Sequence, residues 1–135
     1  MAAVSEDEAL SAGSGAMKYF SHDSAASADM KCRRLLRRYG VEGYGRFWLL
    51  CEALASADWH RLPFETEEDA EVVSDVLMCE PDEARSFIAS LGEWGLISAD
   101  QLSRGVITSD RMVRNSIEFG RKRVGGMRGR GPRKK

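Results

Sequence analysis

The sequence has little of what membrane proteins and enzymes are built from. In 135 residues there is no apolar run near the roughly 18–20 residues needed to cross a bilayer. The first sixteen residues, "MAAVSEDEALSAGSGA", are acidic where a secretory signal is basic, and they hold no apolar segment of their own. They read as a disordered leader, residues 1–16. There are only two histidines, His22 and His60. His22-Asp23-Ser24 has the residue types of a hydrolase triad, but sequence neighbours cannot point at one another as a triad requires. The acidic run of Glu65, Glu67, Glu68, Asp69 and Glu71 lacks the spacing and the glycine of a calcium loop. It reads as the solvated start of a helix. The three cysteines, Cys32, Cys51 and Cys79, are odd in number and form no CxxC pair, which argues against a disulfide framework and a zinc site. Each is expected to be a small buried hydrophobe in a reducing compartment, which places the chain in the cytoplasm. With no catalytic constellation, neither enzyme activity nor a cofactor is expected.

What the chain does have is segregated charge. The formal net charge is −1, but residues 1–30 carry −4, residues 31–46 carry +5, residues 47–103 carry −11 and residues 104–135 carry +9. Two basic blocks flank an acidic middle. Such asymmetry suggests a nucleic-acid footprint or a docking surface.

The apolar pattern is mainly helical. Ala28, Cys32, Leu35, Leu36 and Tyr39 form one stripe, with Ser27 as a cap and Gly40 as the end, and Arg33, Arg34, Arg37 and Arg38 cover the other side. A second helix runs from about Glu42 to Ala57, and its "FWLLCEALA" centre marks it as central to the core. "RLPF" reads as a short edge strand. Thr66 with Asp69 is a capping-box start for a third helix, and Pro81 suits the first turn of a fourth. "GLIS" (95–98) and "GVITS" (105–109) read as a β-hairpin, followed by a last helix from Ser109 or Asp110. "KYFSHD" (18–23) reads as a strand or an extended arm. The expected fold is mainly α with a small β-hairpin, a winged helix-turn-helix over residues 17–120. The helix just before the hairpin, 82–94, is the candidate recognition helix. Residues 121–135, basic and rich in glycine, should be disordered.

In "YGVEGYGRFW", Gly40, Gly43 and Gly45 are dense enough to suggest a phosphate cradle. The order is G-x-x-G-x-G rather than G-x-G-x-x-G, a helix precedes it, and no Walker lysine follows. The glycines are better read as an elbow between two helices: Gly40 at a left-handed cap, Gly43 at the start of the next helix and Gly45 giving close approach to a neighbour. Tyr39, Tyr44, Phe47 and Trp48 would pack that elbow.

The candidate DNA-contacting residues are therefore the basic ones: Lys31, Arg33, Arg34, Arg37, Arg38, Arg46, Arg85, Arg104, Arg111, Arg114, Arg121, Lys122 and Arg123. Such residues hold phosphates without reading bases. The expected recognition helix sets Asp82, Glu83 and Glu93 against Arg85 alone, which is poor for major-groove insertion.

From about Met17 to Arg123 the chain resembles the N-terminal domain of phage and mobile-element replisome-organiser proteins, related to DnaD-like replication initiation proteins. The residues that carry the resemblance are Tyr19, Phe20, His22, Asp23, Asp29, Lys31, Leu35, Tyr39, Gly40, Glu42, Gly43, Tyr44, Gly45, Trp48, Leu50, Glu52 and Leu54, with "RLPF" and "FIASLGEWGLI". It implies a winged-helix domain acting in DNA replication initiation, with DNA and replication proteins such as a helicase or loader as partners. The alternative reading is a protein–protein oligomerisation or adaptor module without direct DNA contact, in which the acidic middle of one subunit meets a basic block of another.

Overall fold

The computed structural model describes residues 4–129. Its elements in chain order are α1 (Glu6–Ala12), α2 (Met30–Ser56), β1 (Leu62–Pro63), α3 (Glu67–Leu77), α4 (Pro81–Glu93), α5 (Ala99–Ser103), β2 (Val106–Ile107) and α6 (Asp110–Gly129), with single 3-10 turns at Ala26–Ala28 and Asp58–His60. The protein is mostly helical, with one small antiparallel sheet pairing Leu62 with Ile107 and Pro63 with Val106. The order helix, strand, three helices, strand, helix from α2 to α6 is consistent with a winged helix-turn-helix.

α2 starts where Asp29, not Ser27, accepts a hydrogen bond from the Lys31 amide (3.2 Å). It breaks at Gly40, whose φ of 71° and ψ of −169° are not helical, so the continuous segment is two helices meeting at an angle. Cys32 and Leu35 before the break and Phe47, Leu50, Cys51, Leu54 and Ala55 after it are buried. α3 has the expected capping box: Thr66 Oγ1 accepts from the Asp69 amide, and the Asp69 carboxylate accepts from the Thr66 amide. α4 begins on Pro81 and contributes Ala84, Phe87, Ile88 and Leu91 to the core. Each such large apolar side chain stabilises the fold by about 1.5–3 kcal/mol.

Several expectations are corrected. Segment 95–98 forms no hairpin with 105–109. It keeps one bond, from the Ser98 amide to the Thr108 carbonyl (2.8 Å), while α5 fills the intervening stretch and β1, from far earlier in the chain, takes the ladder. Cys32 and Cys51 are buried, but Cys79 is only half-buried. Gly45 faces open space, with nothing near enough to need its missing side chain. "KYFSHD" is an arm without regular structure.

The largest difference lies at the two ends. In place of a disordered leader, Glu6–Ala12 is a helix capped by Ser5. In place of disorder from residue 121, α6 runs on to Gly129; the rest of the expected tail lies outside the described residues. These two helices pack on each other through small residues. A Cβ on Gly13 would overlap the Ser116 carbonyl oxygen, and one on Gly120 would overlap that of Ala9. Val124 is buried as well. His60, 1% exposed, ties this pair to the core. Its ring nitrogens Nδ1 and Nε2 lie 3.0 Å from the Leu54 carbonyl oxygen and 2.5 Å from that of Gly13, and its own carbonyl accepts from Thr108 Oγ1 (2.9 Å).

Candidate nucleic-acid interface

The first turns of α2 carry the clearest basic surface. Arg33, Arg34 and Arg37, with Met30 and Leu36, line a shallow concavity of about 500 Å³. They fall together because α2 buries Cys32 and Leu35 on its other side, leaving the arginines in solvent. Met30 is 83% exposed. Arg38 lies beside them, its guanidinium 5.9 Å from the Tyr39 ring centre. Among the described residues, no carboxylate lies within ion-pair distance of these four arginines.

A second group gathers where α2 meets α6. Lys31, Arg111 and Arg114 line a cavity of about 320 Å³ together with residues of the arm, the Ala26–Ala28 turn and segment 95–98. Lys31 donates from Nζ to the Gly95 carbonyl (3.2 Å), and the Arg111 guanidinium stands 5.9 Å from the Trp48 ring centre. Further along α6, Arg121 and Arg123 are exposed. Lys31, Arg111 and Arg114 are thus brought together, whereas Arg33, Arg34, Arg37 and Arg38 form a neighbouring group on the same helix as Lys31.

Four sequence-predicted residues are engaged with carboxylates. Arg46 bonds Glu42 at 2.8 Å, approaches Glu83 at 3.9 Å and donates from Nε to the Leu77 carbonyl (3.2 Å), with only 18% of its side chain exposed. It pins α2 to the end of α3. Arg85 is held by Asp82 (2.8 Å) and Glu67 (3.8 Å) in a concavity also lined by Glu71 and Glu80. The outer side of α4 is therefore acidic, as its sequence suggested. Arg104 pairs with Asp100 at 3.7 Å and Lys122 with Glu118 at 4.0 Å, both exposed pairs of small energetic consequence.

Residues that charge counting passed over are the rings and amides around the cavity. Trp48, assigned to the elbow, has His22 stacked on it at 3.7 Å and 10°, and Phe20, Tyr44 and Phe47 around it. Among the described residues, the indole Nε1 of Trp48 and the amide Nδ2 of Asn115 find no acceptor, although both are buried. No pattern in the sequence singles out Asn115.

The two buried thiols, Cys32 and Cys51, are poor nucleophiles at neutral pH. Burial pushes Cys51 up to about 12, and burial, then the neighbouring Asp29 carboxylate, raises Cys32. Both stay protonated, and it is the thiolate that reacts. Among the described residues, no helix is long and apolar enough to cross a membrane.

No curated protein and no solved structure matches the chain. The family described as Lin1244/Lin1753-like, N-terminal, matches over residues 19–112, from the aromatic arm to the first turn of α6. That span takes in the kinked α2, the β1–β2 pair and most of the cavity wall, and the chain belongs to the Lin1244/Lin1753-like N-terminal family.

Proposed function

We propose that this domain is a non-catalytic DNA-binding and replisome-assembly module of phage or prophage replication initiation, working in the cytoplasm. The observation that supports it best is a set of cations with no carboxylate within ion-pair distance among the described residues: Arg33, Arg34, Arg37 and Arg38 on α2. Exposed guanidinium groups in concave, basic surroundings release counterions when phosphates replace them, and this supplies sequence-independent affinity. The acidic outer side of α4 argues against that helix entering a major groove, so contact is led by the backbone. The resemblance of "YGVEGYGRFW" and its flanks to replisome organisers of the DnaD-like group supplies the pathway, with a helicase or loader as protein partner. The test is an electrophoretic shift across a salt series. If about six phosphates are neutralised, log K falls against log salt with a slope near −5. A shift unchanged after deleting residues 121–135 and neutralising Arg33, Arg34, Arg37 and Arg38 overturns the reading.

One observation favours a second reading, a self-assembling adaptor. The acidic concavity of Glu67, Glu71, Glu80 and Asp82 lies on α3 and α4, which also expose Val72 (58%) and, just past α3, Met78 (78%). That surface is complementary in charge to the arginines of a second copy. Light scattering across salt concentrations decides: a salt-sensitive oligomer with no DNA affinity favours the adaptor, and a salt-insensitive monomer with DNA affinity excludes it.

A further inference from the structure

We infer that the cavity between the arm, α2 and α6 takes one unpaired nucleotide of DNA, its base inside and its phosphate on Arg111 and Arg114. This rests on the DNA-binding reading above and adds a preference for single strands.

The cavity has the size and lining for it. At about 320 Å³ it lies at the small end of ligand sites, which suits one base rather than a larger molecule. Phe20, Phe47, Trp48, Ile97 and Met112 give it an apolar wall. Its charges are balanced: Lys31, Arg111 and Arg114 face Asp23, Asp29 and Asp110. Two of those carboxylates are occupied by capping, Asp23 with the Ala25 amide and Asp29 with the Lys31 amide. A charge-balanced cavity with an aromatic and apolar wall suits a neutral heterocycle better than a bare anion, with an anionic group at the arginines.

Two further features specify the occupant. First, among the described residues, the buried side-chain atoms that lack a partner are both donors, Trp48 Nε1–H and Asn115 Nδ2–H, and both residues line the cavity. Leaving buried donors unpaired is costly, and the exocyclic oxygens and ring nitrogens of a nucleobase are acceptors of the right kind. Second, the Trp48 ring already carries a planar nitrogen heterocycle in parallel contact, the imidazole of His22. The arm that brings it there is held loosely. Among the described residues, no hydrogen bond joins residues 18–22 to the rest of the protein, and its anchors are ring contacts: Tyr19 on Phe119, Phe20 and His22 on Trp48. A base can take the position of the His22 ring on Trp48 without breaking a hydrogen bond, and Asn115 stands in the same cavity wall.

The test uses fluorescence anisotropy of the full chain with three labelled DNAs of about 12 nucleotides, within the range of single-strand site sizes. They are an oligothymidylate strand, an abasic strand with the same number of phosphates, and a duplex. The expected result is that oligothymidylate binds about tenfold more tightly than the abasic strand, the order of one stacked and hydrogen-bonded base. Asn115→Leu should bring that ratio close to one while leaving duplex binding unchanged. Because Asn115 Nδ2 has no partner in the free protein, the substitution removes no hydrogen bond on that nitrogen. Equal binding of the base-bearing and abasic strands overturns this inference and leaves the DNA reading standing, as does a ratio that Asn115→Leu does not move. Binding to none of the three at low salt overturns both.

Discussion

Gly13 and Gly120 leave no room for a side chain between α1 and α6. A Cβ on Gly120 would stand 2.8 Å from the Gly13 nitrogen and would overlap the Ala9 carbonyl oxygen. Gly120→Val should therefore destabilise the protein by about 1–3 kcal/mol, through overpacking that backbone atoms cannot relieve. Limited proteolysis should then cut before Met17, as α1 lifts away. Gly126→Ala is the control. Nothing lies within 4 Å of its added Cβ, and the helix should gain about 0.5–1 kcal/mol. A melting temperature unaffected by Gly120→Val would contradict the packing described.

The elbow in α2 makes a graded prediction. Gly40 has φ 71°, so Gly40→Ala should cost about 1–3 kcal/mol of backbone strain although nothing lies within 4 Å of its added Cβ. At Gly43 a Cβ would overlap that of Tyr39 and come within 3.5 Å of the Phe87 ring, so Gly43→Val should unfold or loosen the domain. Gly45→Ala should be neutral or stabilising, since that position is open. Denaturant unfolding of the three variants checks the order. If Gly43→Val melts like the parent, the elbow is not a packing joint.

Salt dependence separates the free arginines from the engaged ones. Replacing Arg33, Arg34, Arg37 and Arg38 by Gln should reduce the slope of log K against log salt by about 3–4, close to one for each lost phosphate contact. The same change at Arg46, Arg85 and Arg104, each paired with a carboxylate, should leave the slope alone. An equal reduction in both variants would show that only net charge matters.

The thiols predict a pH effect of definite sign. Burial raises Cys51 from the usual 9.0 to about 12 in the folded protein. Folding is therefore favoured fully below pH 9.0 by this group, and its contribution falls away as the pH rises through about 12. Cys51→Val should flatten that part of the alkaline decline. In alkylation near neutral pH, Cys79, half-buried, should be labelled first, and Cys51 only after unfolding. Mass spectrometry with and without denaturant measures both.

Local signals were legible in the sequence and distant ones were not. The basic helix, the break at Gly40, the Thr66–Asp69 box and the Pro81 start each depend on residues within one or two turns, and each stands where its pattern placed it except that the basic helix is capped by Asp29, two residues after Ser27. The strand partner of Val106–Ile107 did not follow from the sequence, because Leu62–Pro63 lies some forty residues earlier and two-residue strands carry no alternation to read. Helix α1 looked disordered because its own apolar surface is slight; its stability comes from Ser116 and Gly120, a hundred residues away. Of the thirteen basic residues, sequence position alone could not tell the exposed Arg33 from Arg46, which the fold turns toward Glu42 and Glu83. The unpaired donors on Trp48 and Asn115 arise only from tertiary packing.

The close contact of α1 with α6 also sets an electrostatic limit. Gly13 meets Ser116 and Ala9 meets Gly120, so the two helices run antiparallel. Glu6, Asp7 and Glu8, the acidic first turn of α1, therefore lie at the end of the pair that carries Arg121, Lys122 and Arg123. The chain brings its own tethered counterions to that basic end, at an effective concentration that dilution cannot lower. A phosphate arriving there exchanges with carboxylates as well as with dissolved ions, so that end of α6 contributes less to affinity than its count of positive charges would suggest.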